Sequence, residues 1–385
     1  MFVKRQISNI IKAQQSKFPI LAVTGPRQSG KTTMLKELFE EYRYVSLENP
    51  DMRFFASEDP NGFLNEYSEK VILDEIQTVP QLFSYLQTKV DENKKMGQYI
   101  LSGSQNFSLI NKITQTLAGR VALFKLLPLD FEELKTENLL AESYQETIFK
   151  GFYPAIFDRE IDPNIFYANY LQTYVEKDVT EILNVRDLTT FRTFLGLCAA
   201  RAGQLLNISG LANDCNISQP TAKAWLSILE SSYIIFKLHP FHENFNKRLV
   251  KSPKLYFNDT GLLSHLLGIR AASEINTNRL KGNLFENLIL AELQKKNYHQ
   301  YLHSNYYFWQ DSNANEVDIL TKNNEDFKIS EIKATETITA TLFKQLDRFE
   351  EIAKPAKVKK TLIYGGLNSQ KRSRYEIVSW KDISL

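Results

Sequence analysis

FPILAVTGPRQSGKTTMLKEL, residues Phe18 to Leu38, decides how the rest of this chain is read. A short apolar run from Pro19 to Val23 feeds Gly25-Pro26-Arg27-Gln28-Ser29-Gly30-Lys31-Thr32, and Thr33, Met34, Leu35, Leu38 and Phe39 follow at helical spacing. Strand, glycine loop and helix in that order are the setting in which G-x-x-x-x-G-K-[ST] holds a nucleotide. The glycines let successive backbone N–H groups turn inward on phosphate oxygens, and the helix adds the positive end of its dipole. Gly25 to Thr33 are thus the expected phosphate cradle. Lys31 is expected to reach the β and γ phosphates, and Thr32 to ligate Mg²⁺.

The partner motif is Val71-Ile72-Leu73-Asp74-Glu75, an apolar strand ending in two carboxylates. At the carboxyl end of a buried parallel strand, Asp74 can hold a water of the Mg²⁺ shell. Glu75 can then polarise the water that attacks the γ-phosphate. The distance from Lys31 to Asp74 leaves room for an extra strand, Tyr44 to Leu47, which separates the chain from nucleotide kinases and GTPases of simpler layout. Pro50 to Tyr67 reads as one or two amphipathic helices. A third apolar strand, Gln98 to Leu101, ends in Ser102-Gly103-Ser104-Gln105. Ser104 or Gln105 there either senses the γ-phosphate or caps the next helix. That helix, Leu109 to Ala118, stops at Gly119-Arg120 before the strand Val121 to Leu127. Arg120 either completes the dipole of the helix end or serves as a finger for a neighbouring subunit's site.

TGPRQSGKTT, VILDE, LSGS and LAGRVALFKLLPLDFEEL together resemble the AAA+-type P-loop ATPases of bacteria and archaea that carry a C-terminal domain of unknown function. The resemblance extends over nearly the whole chain. It implies a parallel sheet in the order 5-1-4-3-2 and ATP as the nucleotide.

Composition sets the outer bounds. At 385 residues two or three domains are expected. Hydrophobic residues at 43%, charged residues at 24% and a net charge of +2 describe a globular protein whose overall electrostatics favour no particular partner. Cys198 and Cys215 fit no disulfide or metal framework, which points to a reducing cytoplasm. Polar residues from Gln6 to Gln15 interrupt any signal-peptide core, and no apolar run is long enough to span a bilayer. A cytoplasmic protein with no membrane partner is expected.

In the middle of the chain, Gly151-Phe152-Tyr153-Pro154 precedes a helix from Ile165 to Leu183 that includes Lys177-Asp178. Family members show a comparable GxYP, and this helix is read as packing that joins domains. Then Ser209 caps one short helix and Ser218 a second, with Pro220 in its first turn. Ala222, Leu226 and Leu229 share one face of the second helix, leaving Gln219, Thr221 and Lys223 outward. Two strands, Tyr233 to Leu238 and Leu255 to Asn258, flank a loop with Lys247, Arg248, Lys251 and Lys254. Helix, turn, helix and basic hairpin spell a winged helix, which either reads DNA or packs against the ATPase.

The last stretch carries a second constellation. Glu286 lies on the helix Arg279 to Lys296, Asp318 on an apolar strand, and Glu331 and Lys333 on one face of the next strand. One Asp, one Glu and a Lys two residues on suit phosphodiester cleavage, with carboxylates binding Mg²⁺ and the lysine steadying the phosphate. This resembles the restriction-endonuclease-like PD-(D/E)xK core, with Val317 standing where its proline would be. Seven basic and no acidic residues between Ile352 and Tyr375 form a further candidate nucleic-acid surface.

The sequence therefore predicts an α/β chain: a P-loop ATPase domain over 1–135, a helical and winged-helix region over 136–268, and a restriction-endonuclease-like α/β domain over 269–385. ATP and Mg²⁺ are the expected cofactors, and DNA or another nucleic acid and a homo-oligomer the candidate partners. The expected function is an ATPase cycle that controls the nuclease-like domain. The rivals are a non-catalytic ATP switch whose last domain only binds a partner, and an oligomeric remodeller using Arg120 in trans.

Overall fold

A computed structural model describes residues 3–104, 115–175, 188–242 and 250–383. The expectations placed on Gln105, Lys177, Asp178, Lys247 and Arg248 lie outside these residues.

Five apolar segments form the first sheet: β1 (Ile20–Thr24), β2 (Arg43–Ser46), β3 (Val71–Asp74), β4 (Tyr99–Gly103) and β5 (Val121–Lys125). They pair in the order β2-β3-β4-β1-β5, all parallel, which is the predicted 5-1-4-3-2 order from the other edge. A strand in the middle of such a sheet must be apolar on both faces, and every residue of β1 is buried. Ile20 and Ala22 pack into one core with Phe63, Leu82 and Leu86, while Leu21 and Val23 pack into another with Ile11, Met34 and Leu35. Helices thus cover both faces. The loops that follow β1, β3 and β4 are left together at the carboxyl edge, where ligands bind in open parallel sheets.

The second sheet has eight strands in the order β12-β13-β11-β10-β9-β8-β6-β7. Its members are β6 (Ile235–Pro240), β7 (Lys254–Phe257), β8 (Tyr307–Gln310), β9 (Glu316–Asn323), β10 (Asp326–Lys333), β11 (Val358–Tyr364), β12 (Gln370–Lys371) and β13 (Glu376–Ser379). The helices Ile208–Asp214 and Gln219–Ser231 are followed by the β6–β7 hairpin, the segment in which a winged helix was expected. Ala222, Leu226 and Leu229 are buried as predicted. Three details differ. The first helix is capped by Asn207, whose carbonyl oxygen accepts from Gly210 N–H at 2.9 Å, because the helix begins one residue before Ser209. The hairpin is not a free wing, since β6 pairs with β8 at His239 and Pro240. Lys254, expected among loop cations, begins β7 and is 4% exposed. One apolar core runs from Leu129 through Leu255 and Leu288 to Ile383, so the division expected at 268 is crossed by both sheet and core. A further helix, Tyr144–Lys150, precedes Gly151.

A buried polar knot ties the ATPase sheet to the long helix Lys281–His299. Asp130 opens the helix Phe131–Thr136 with a capping box: its carboxylate accepts from Glu133 N–H at 2.9 Å while Glu133 accepts from Asp130 N–H at 3.1 Å. His299 Nδ1 donates to Asp130 at 2.8 Å, and its Nε2 accepts from Leu127 N–H at 3.2 Å, which fixes the tautomer. Burial works to raise the Asp130 carboxyl, but the bonds from His299 and Glu133 outweigh it and hold it down at about 2. A depressed folded-state value means stability that is present above the ordinary value near 3.8 and is lost as pH falls toward about 2. Asp130→Ala should cost about 2–4 kcal/mol in urea unfolding at pH 7, since it leaves the buried Nδ1–H of His299 without an acceptor and removes the helix cap. It should also flatten the acid limb of the stability curve, and an unchanged limb would show that Asp130 is not its source.

Candidate functional site: the nucleotide pocket and an acidic cluster

The loop after β1 has the shape the motif requires. Gly30 precedes the helix Lys31–Leu38 with φ 90°, and a Cβ on Gly25 would stand 2.0 Å from the carbonyl oxygen of Leu126. Lys31 folds back into the loop, donating to the carbonyls of Gly25 at 3.0 Å and Pro26 at 2.8 Å. Thr32 Oγ1 donates to Asp74 Oδ2 at 2.9 Å, so the two expected magnesium groups meet side by side. Tyr44 donates to the same oxygen at 2.7 Å and Ser102 to the other, which orients the carboxylate. A hydroxyl beside an oriented carboxylate at the head of the loop fits the hard-oxygen coordination of Mg²⁺.

Glu75 follows with φ 54° and ψ 45°, a left-handed conformation that costs a side-chain-bearing residue about 1–3 kcal/mol. The turn aims its carboxylate across the cleft, where Oε2 accepts from Ser104 Oγ at 3.0 Å and from Gln77. Ser104 thus sits beside the expected general base, at the end of β4. Arg27 and Glu48 approach to 4.0 Å at the rim.

The cavity over the loop, about 400 Å³, is also lined by Phe157, Asp158 and Arg159, in and just after the short helix Pro154–Asp158 that begins at the end of the GFYP segment, to which the sequence reading gave no part in the site. Arg5 was also missed. It is 3% exposed and donates to Ser29 O at 2.7 Å in the loop and to Leu127 O at 2.7 Å, with Nε 3.0 Å from Glu133. Only its side-chain class and position near the first strand could have signalled it. Arg120 lies at the amino edge of the sheet, away from the loop, in a two-point pair with Asp91 at 2.6 and 2.8 Å. The loop belongs to the carboxyl edge, so Arg120 does not reach the phosphates of its own chain.

The second constellation converges. Lys333 Nζ lies 2.6 Å from Glu331 and 3.8 Å from Asp318, and Ile332 N–H donates to Asp318 at 2.7 Å. Glu286 enters from the helix Lys281–His299, and carboxylate oxygens of Glu286, Glu316 and Asp318 lie within 4.8 Å of one another. Glu316 and Lys254 were not foreseen. Lys254 Nζ bonds Glu316 and Glu286, the latter at 3.1 Å. Burial, helped by the Asp318 charge and opposed by Lys333, pushes Glu331 up to about 8. Burial likewise pushes Glu286 up to about 7 against the pull of Lys254. Among the described residues, the buried Oε2 of Glu331 has no hydrogen-bond partner. An orphaned carboxylate oxygen in a group of crowded acids fits a divalent cation.

The basic run after Ile352 is less open than its sequence suggests. Lys354 pairs with Glu351, Lys359 with Glu376, and Lys360 and Arg374 both with Asp347 and Glu350. Lys360 is itself buried. Among the described residues no helix is long and apolar enough to cross a membrane, and Cys198 and Cys215 are both buried free thiols.

A five-stranded parallel sheet with a glycine loop after β1 and paired acids after β3 defines a P-loop nucleotide-binding domain. Residues 17–135 match the family model described as AAA domain, so this part is an AAA-type ATPase domain. Residues 141–273 and 281–383 match two models described as domains of unknown function, DUF8612 and DUF4143. Among curated proteins, an uncharacterized protein of Mycobacterium tuberculosis is 29% identical over 83% of this chain and 71% of its own length. An uncharacterized protein of Methanocaldococcus jannaschii is 24% identical over 63% of this chain and 61% of its own. Among solved structures, the Walker-type ATPase of Pyrococcus abyssi aligns at 16% identity and TM-score 0.45, covering 69% of this chain and 96% of that one. AMPPCP-bound DnaA of Aquifex aeolicus aligns at 18% identity and TM-score 0.27, covering 58% and 86%.

Proposed function

We propose that the chain is an Mg²⁺-dependent ATPase whose nucleotide cycle controls a nuclease-like, nucleic-acid-binding domain at its C-terminal end. The meeting of Thr32 with Asp74, with Glu75 held by Ser104 across the same cleft, carries the first half of this reading. ATP would lie along Gly25 to Thr33, with Lys31 on the β and γ phosphates. Mg²⁺ bound there would neutralise phosphate charge. Asp74 and Thr32 would hold it, and Glu75 would take a proton from the attacking water.

The second half rests on the Asp318, Glu331 and Lys333 grouping, which has the donors for metal-assisted cleavage of a phosphodiester. Asp318 and Glu331 would hold the ion, and Lys333 would steady the phosphate. The chain also has a physical link between the halves, because Arg5 bonds both the phosphate loop and Glu133, and Glu133 is in the knot that anchors His299. His299 ends the same helix that carries Glu286.

Supercoiled DNA nicking at low salt with ATP and Mg²⁺ tests the nuclease half. Wild-type protein should nick, and Glu331→Ala should lose nicking while ATP turnover stays at the wild-type level. Failure of wild-type protein to nick would remove the nuclease claim. The pairing of four of the seven cations after Ile352 favours the reading left in that case, a domain that binds a partner without cutting it.

A further inference from the structure

The acid cluster is divided between two ammonium groups, and the two are not placed alike. Lys333 is 38% exposed and clamps Asp318 and Glu331 at the open side. Lys254 is 4% exposed, bonds Glu286 and Glu316, and comes from β7, outside the segment that supplies the acids. Tyr256, two residues along the same strand and so on the same face, donates its hydroxyl to the same Glu286 oxygen. The strand thus presents a row of donors to the cluster. A buried lysine is costly unless carboxylates compensate it, and this one has two in direct contact with Asp318 close to both.

We propose that Lys254 is a built-in cation that occupies one of two adjacent positions among these carboxylates, so that the cluster binds a single divalent ion. That ion would sit between Asp318 and Glu331. Two observations support this division. Once a divalent ion displaces the protons that burial favours on these acids, four carboxylates face two ammonium groups, and the two negative charges left over match one divalent cation. The orphaned buried oxygen is on Glu331, whose side chain is 7% exposed, and not on the two glutamates that Lys254 holds. The inference rests on the metal-site reading above and narrows it: Glu286, expected as a metal ligand, is instead a partner of Lys254. The substrate class is unchanged, but chemistry at this site would rely on one metal and a fixed ammonium where two-metal nucleases use a second ion.

Mn²⁺ binding to the nucleotide-free full-length protein, read by the loss of the free-ion paramagnetic resonance signal, tests this. Wild-type protein should bind one Mn²⁺ per chain and Lys254→Arg should do the same. Lys254→Met should bind two. Glu331→Ala should bind none, and Glu286→Gln should keep one. Two ions on wild-type protein, one ion on folded Lys254→Met, or loss of the ion in Glu286→Gln would each overturn the proposal while leaving a metal site in place. No ion on wild-type protein would overturn the metal-site reading itself. Circular dichroism melts establish that Lys254→Met is folded. Should it not fold, the wild-type and Glu286→Gln stoichiometries still decide the matter.

Discussion

Glu75→Gln protein is expected to bind ATP with unchanged affinity and to hydrolyse it about 10²–10⁴-fold more slowly than wild type. The substitution keeps the size and the hydrogen bond from Ser104, since the amide oxygen can still accept, but it removes the site's proton acceptor. Phosphate recognition uses other groups, namely the Gly25 to Thr33 backbone, Lys31, and the Thr32–Asp74 pair. Binding and turnover should therefore separate. Lys31→Ala should lose both, because it removes the ammonium that now fills the loop's carbonyl cup and would turn to the β and γ phosphates. Fluorescent-nucleotide titration with a coupled phosphate-release assay reads the two quantities independently. If Glu75→Gln turns over ATP at the wild-type rate, hydrolysis is not catalysed at this site and the chain is better read as an ATP-binding switch. A mixture of Arg120→Ala and Lys31→Ala proteins that regains activity would show that Arg120, paired with Asp91 within one chain, leaves that partner for a neighbour.

The strained turn at Glu75 shows how sequence and structure divide the information. The motif V-I-L-D-E announced two carboxylates at a strand end, while the parallel sheet and its strand order were expected from the family resemblance. What it could not announce is that Glu75 adopts a left-handed backbone, because no glycine or asparagine marks the position. Tyr44 and Ser102, which orient Asp74, lie on neighbouring strands and become partners only through sheet register. The same holds in the second sheet. Glu331 and Lys333 were legible from the two-residue period, and Asp318 from an apolar strand, since each is local. Lys254 was read as a loop cation because its neighbours are polar and basic; only the pairing of β6 with β8 carries β7 to the cluster, a contact some sixty residues away in sequence. Arg5 and His299 were illegible for a related reason. Apart from Ser29, the partners that define their roles are carbonyls and acids more than a hundred residues distant, where no period or cap could point.

Gly151→Ala should be among the most destabilising single substitutions in the chain, at about 4 kcal/mol or more, with ATP affinity falling alongside stability. Gly151 ends the helix Tyr144–Lys150 with φ 67° and ψ −156°, a region open to glycine and closed to residues with a Cβ. Space is also lacking: a Cβ there would stand 2.0 Å from the Tyr167 hydroxyl, 2.6 Å from Asp259 Oδ1 and 2.9 Å from Gly261 N. None of these can yield cheaply. Tyr167 donates to Lys150 O at 3.0 Å, and Asp259 accepts from Phe152 N–H at 2.8 Å and Leu262 N–H at 2.9 Å. The next residues explain the remainder of the GFYP motif. Phe152 and Tyr153 are buried, Tyr153 donates to Tyr170 at 2.7 Å, and Pro154 opens the short helix that walls the nucleotide cavity. A shift at Gly151 would therefore move that wall. Gly119→Ala is the comparison: its φ is likewise positive, at 77°, but among the described residues nothing lies within 4 Å of the added carbon, so about 1–2 kcal/mol is expected. Urea unfolding of the two variants separates crowding from strain. Equal losses would mean that Gly151 is required for its backbone angle alone, and that the wall of the nucleotide cavity tolerates the displacement.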